Sequence, residues 1–118
     1  MKGKVKSLHS PDIDCLETYN PDVEDSFSFL LQVFIGPENE RGEESFDVIV
    51  CTPKWILQKL GENDSLFGFH HLIIQHYDYN KIVSKLNEFV DSQTGNNWDE
   101  LASKYSKLGK REFDGYME

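Results

Sequence analysis

The chain has 118 residues, 38% of them hydrophobic and 13% aromatic, enough to close one core without metal or disulfide staples. Its 21 acidic side chains against 12 basic ones leave a formal charge of -9, the opposite of the balance a nucleic-acid binder shows, so a basic protein partner is favoured over DNA or RNA. No apolar run approaches the ~20 residues of a membrane span, and the start, Met1-Lys2-Gly3-Lys4-Val5-Lys6, lacks the apolar stretch of a signal peptide; one cytoplasmic domain over residues 1–118 is expected.

Residues 2–9 alternate Lys2, Lys4 and Lys6 with Gly3, Val5 and Ser7 and predict a first strand at a sheet edge, where lysines discourage pairing with other chains. Ser10-Pro11-Asp12 breaks it, and residues 11–26 form an acidic, turn-rich connector. Phe27, Phe29, Leu31, Val33 and Ile35 then share one face of a period-two pattern that Gly36-Pro37 stops. Residues 45–51 predict its antiparallel partner, with Phe46, Val48 and Val50 on one face, Asp47 on the other and a long polar loop between the two strands.

Thr52-Pro53-Lys54-Trp55 reads as a helix start. Thr52 caps, Pro53 takes the first helical position, Trp55 anchors the helix on the sheet, and Gly61 ends it. Residues 66–77 predict a fourth strand, apolar on both faces and therefore placed in the middle of the sheet. Asp78 caps a helix whose inward stripe is Ile82, Val83, Leu86, Phe89 and Val90. Asn97 and Glu100 make a capping box for a last helix, with Trp98, Leu101, Ala102, Tyr105 and Leu108 inward and Gly109 at its end. A tail with Phe113 and Tyr116 follows. This order predicts an α+β domain, an antiparallel sheet of about four strands with helices packed on one face.

Few constellations here suit catalysis. His70 and His71, neighbours on a strand, point to opposite faces, and His70 and His76 share a face but stand roughly 20 Å apart at ~3.3 Å per residue. Cys15 and Cys51 have no metal-ligand spacing. Cys51, closing an apolar strand before a helix, reads either as a small buried apolar group or as a thiol activated by the helix N-terminus. No nucleophile-elbow, phosphate-loop or dinucleotide fingerprint occurs. No catalytic residue, metal or cofactor is expected.

Charge is more informative. Between residues 12 and 47 eleven Asp or Glu side chains are offset by Arg41 alone, a local balance of -10. Such a run is either a solvated surface or a platform for a basic partner. On the second reading Glu38, Glu40, Glu43 and Glu44 of the hairpin loop, with Asp47 beside them, are the candidate partner-binding residues.

Leu8-His9-Ser10-Pro11-Asp12, the strand from Phe27 to Gly36-Pro37, and Gly42-Glu43-Glu44-Ser45-Phe46-Asp47-Val48 form the first part of a familiar pattern. Cys51-Thr52-Pro53-Lys54-Trp55, the stretch from Phe67-Gly68 to Ile74, and Trp98 with its capping helix complete it. Together they resemble the immunity protein 8 family of bacterial polymorphic-toxin and contact-dependent inhibition systems, over essentially the whole chain. The resemblance implies a non-catalytic cytoplasmic protein that binds a cognate toxin domain and neutralises it by stoichiometric complex formation. Many such toxins are nucleases with basic surfaces, which an acidic inhibitor suits. It carries over no catalytic residue, and an acidic interaction or regulatory module outside toxin biology is the alternative.

Overall fold

The computed structural model describes residues 1–112. Strict alternation builds the centre of its sheet: β2 (Ser28–Pro37) pairs antiparallel with β3 (Glu44–Cys51), Leu31 opposite Val48 and Val33 opposite Phe46. A period of two sends Phe29, Leu31, Val33, Ile35, Phe46, Val48 and Val50 to one face, where all are buried. β1 (Gly3–His9) pairs antiparallel with β2 at the sheet edge, as its lysines predict. The register shifts between Val5 and Ser7, so Lys6 is an extra, bulged residue. The bulge returns Leu8 to the inner face opposite Val33, and Lys6 reaches across to donate to the Glu40 carbonyl at 2.9 Å.

Two helices cover that inner face. Asp78 caps α2 (Tyr79–Asp91) by accepting from the Lys81 N–H, and Asn97 caps α3 (Trp98–Tyr105) by accepting from that of Glu100. Ile82, Leu86 and Val90 of α2 and Leu101, Ala102 and Tyr105 of α3 complete one hydrophobic core with the strands. Helices on one face of a largely antiparallel sheet give the expected α+β class.

Three expectations need correction. The first concerns α1 (Pro53–Asn63), which runs past Gly61 and ends where Asp64 turns left-handed (φ 63°), its N–H bonded to the Leu60 carbonyl. A helical glycine is only mildly unfavourable, whereas a left-handed cap closes the helix by satisfying its last carbonyls. The second concerns Trp55. It is only partly buried and lies outside the core, with the Lys59 ammonium 5.7 Å from its ring centre; no residue of α1 is buried. The local anchor is Thr52, fully buried, whose Oγ1 accepts from the N–H groups of both Phe27 and Trp55 and so ties the start of β2 to the start of α1.

The third correction is the largest. Only His71–Ile73 of the stretch 66–77 is a strand (β4), and it lies beyond β3 at the far side of the sheet, running parallel to it. A strand that follows β3 through a helical crossover enters beside it in the same direction. His70, left-handed at φ 58°, turns the chain into β4 and leaves residues 64–69 exposed. Further along β3 the short β5 (Lys110–Arg111) pairs antiparallel with Phe46 and Asp47. Phe113 and Tyr116 lie outside the described residues.

Candidate partner-binding surface

The loop between β2 and β3 folds back tightly on its own strand. A Cβ at Gly36 would lie 1.9 Å from the Gly42 carbonyl oxygen, and Gly42 has φ 105°, so both positions need glycine. The Glu38 N–H bonds the Lys2 carbonyl at 2.9 Å, and Lys6 holds the carbonyl of Glu40. The loop is therefore moored to β1 while the side chains of Glu38, Glu40 and Glu43 stand exposed. These are three carboxylates on a tethered, solvent-facing loop.

Glu44 and Asp47 are placed differently. Glu44, its side chain 15% exposed, accepts from the Arg111 guanidinium at 2.6 and 2.8 Å and from the Trp98 indole N–H. The Arg111 hydrogen bonds hold its carboxyl below the usual carboxylate range, with the Trp98 bond adding to them and outweighing the opposite push of burial. Asp47 lies on the outer face of β3, accepts from the Ser45 hydroxyl at 3.3 Å and pairs in register with Lys110. The structure thus gathers Glu38, Glu40 and Glu43, and assigns Glu44 a structural ion pair. Arg111 stands 67 positions away, a separation no local sequence pattern reports.

In the connector, Asp12 accepts from the Leu30 N–H at 2.9 Å and so satisfies β2 where β1 has ended, and Asp25 pairs with Lys54 at 3.6 Å. Asp14, Glu17, Asp22 and Glu24 are exposed. Tyr19, Phe27, Phe29 and Tyr77 pack edge-on and stacked beneath this segment, and the Tyr77 hydroxyl donates to the Leu16 carbonyl. Burial pushes that phenol up to about 12.

The histidines do not form the strand pair their spacing suggests, because β4 stops at Ile73. His70 donates to the Ser106 carbonyl at 2.8 Å and His71 to that of Phe69 at 2.7 Å. Among the described residues no three His, Cys, Asp or Glu side chains group as a metal would require. A groove of about 400 Å³ opens between α2, β4 and the turn after α3, lined by the apolar Val48, Leu72, Leu86 and Phe89 and by the charged Lys85, Glu88 and Lys107. Its one hydroxyl, that of Ser92, donates to the Phe89 carbonyl at 2.6 Å.

Cys51 is fully buried, and burial pushes its thiol up to about 11, so it packs as a small apolar group. Cys15 is exposed. A thiol-reactive dye at pH 8 should therefore label one cysteine quickly in the folded protein and the second only on unfolding. Rapid labelling of both in the native state would contradict this packing of Cys51.

A family model described as Immunity protein 8 matches residues 3–116. No curated protein and no solved structure matches. Among the described residues no helix is long and apolar enough to cross a membrane.

Proposed function

Because the chain belongs to the Immunity protein 8 family, we propose that it neutralises a bacterial toxin domain by forming a stoichiometric complex with it, without chemistry in either partner. The observation that carries this reading is the family match over residues 3–116. The acidic segment adds the partner's character. With a formal charge of -9, and Glu38, Glu40 and Glu43 exposed on a tethered loop, the complementary surface is basic, as on a nuclease. Inhibition then follows by covering the surface that substrate approaches. Two cysteines that do not pair, Cys15 exposed and Cys51 buried, suit action in the reducing cytoplasm.

Exposed charges of this kind act chiefly on association, and salt screens them over roughly 8 Å at physiological ionic strength. Reversing Glu38, Glu40 and Glu43 to lysine should slow association with the cognate toxin domain by several-fold at low salt. Dissociation should change less, and folding stability should stay near wild type. Stopped-flow association across a salt series measures this; equal rates for wild type and variant at every salt would remove the loop from the interface. Titration of toxin activity tests the mechanism. Loss in proportion to inhibitor, complete near one equivalent, is expected, whereas lasting inactivation by far less than one equivalent would mean chemical modification.

A further inference from the structure

Exposed apolar surface is concentrated in one part of this chain. Of the seven large hydrophobic side chains that stand exposed among the described residues, five fall within the stretch from α1 to β4: Leu57, Leu66, Phe67, Phe69 and Ile73. Phe67 and Phe69 are 81% and 73% exposed and stack on each other, ring centres 5.6 Å apart and planes 17° from parallel. A phenylalanine carries roughly 150–250 Å² of surface, so the pair alone presents about 300 Å², on the scale of the largest apolar patch of a typical monomer.

The loop is held in this presentation from both sides. Asp64 closes α1 before it. After it, the His70 ring is bonded to Ser106 and the His71 ring to the Phe69 carbonyl itself. Leu72, Ile74 and Tyr77, which follow in the chain, pack against the core, so a route inward exists and the two phenylalanines do not take it. A backbone fixed on both sides of the two rings lowers the cost of ordering them for a partner, and buried aromatic anchors dominate the energy of protein interfaces.

We propose that the Phe67–Phe69 stack is the apolar anchor by which this protein grips its toxin domain, seated in an apolar recess with a basic rim; this rests on the function proposed above. Charge selects the partner. Asp64 lies three positions before Phe67, Glu62 lies five before it and pairs with Lys59 at 3.4 Å, and the chain as a whole is at -9. A second copy docking on the same patch by two-fold symmetry would bring each of these carboxylates toward its own equivalent. A basic toxin surface meets them with the opposite sign.

The test uses the full chain, the double variant Phe67→Ser/Phe69→Ser, a Phe67→Leu/Phe69→Leu control, and the cognate toxin domain. The serine variant should unfold at the wild-type urea midpoint, since both rings are in water. It should bind at least about 30-fold more weakly, mainly through faster dissociation, as loss of a central aromatic anchor does; the leucine variant should fall between. Equal dissociation constants for wild type and the serine variant would overturn the proposal. So would a wild-type dimer in light scattering that the serine variant dissolves, because the occupant would then be a second copy. If wild type itself fails to bind the toxin domain, the proposed function falls and this anchor with it, an outcome distinct from binding that ignores the two rings.

Discussion

Tyr105→Ala should destabilise the protein by about 3–5 kcal/mol, the range for removing a large aromatic side chain from a packed core. Tyr105 is fully buried and meets Phe46, Phe89 and Trp98 with ring centres 6.1, 6.5 and 6.2 Å away. Its hydroxyl donates to the Val90 carbonyl at 3.0 Å, and it sits so close to β1 that a Cβ at Gly3 would fall 2.4 Å from it. One side chain thus joins α3 to α2, β1 and β3, and its loss opens a cavity where four elements meet. Tyr105→Phe keeps the rings and removes only the hydroxyl, which should cost about 1 kcal/mol. Trp55→Ala, despite the larger side chain, should cost only about 1–2 kcal/mol because that ring is partly solvated and outside the core. Urea unfolding of the three variants ranks them. A Tyr105→Ala protein that unfolds at the wild-type midpoint would mean that α3 does not hold the sheet.

What the sequence discloses depends on how local the deciding physics is. Caps are settled within a turn, so Thr52, Asp78 and Asn97 are legible as caps, and the structure shows each accepting the backbone bond a cap makes. Alternation over residues 27–35 and 46–50 is equally local, because a sheet buried on one face must repeat every two residues. Residues 66–77 fail for the opposite reason. An apolar run reports that burial is favourable, not where the burying surface lies, and the crossover through α1 leaves room for three residues of strand. Leu72, Ile74 and Tyr77 reach the core while Phe67 and Phe69 do not, and nothing in their spacing separates the two groups. The extra residue Lys6 is likewise invisible until β2 supplies the register. In the acidic loop, sequence identifies Glu38, Glu40 and Glu43 as loop carboxylates. Glu44 looks the same on paper, and only the return of the chain at Arg111 distinguishes it.

That distinction is itself testable. Glu44 opens β3 and accepts hydrogen bonds from Arg111 in β5 and from Trp98 at the first turn of α3, and Asp99 stands 3.6 Å from the same guanidinium. Glu44→Gln should therefore cost roughly 1.5–3 kcal/mol at neutral pH, the range for hydrogen bonds to a charged group. The acid dependence carries a definite sign. Arg111 first, and Trp98 after it, lower the folded-state pKa of Glu44, so the native protein binds fewer protons than the unfolded chain in that region. The stabilisation is complete above the ordinary carboxylate value of about 4.3 and is lost as pH falls toward the lowered native value. Wild type should lose stability more steeply than Glu44→Gln across that acid range, and the two curves should converge at its lower end. Chemical denaturation between pH 7 and pH 2 follows this directly. Binding kinetics supply the complementary arm. As a structural residue at the base of the loop, Glu44 should leave the toxin association rate near wild type when changed to Gln, while Glu38, Glu40 and Glu43 still steer. Slower association with unchanged stability would give the opposite assignment, placing Glu44 in the interface with the other three and reducing its bond to Arg111 to a minor contact.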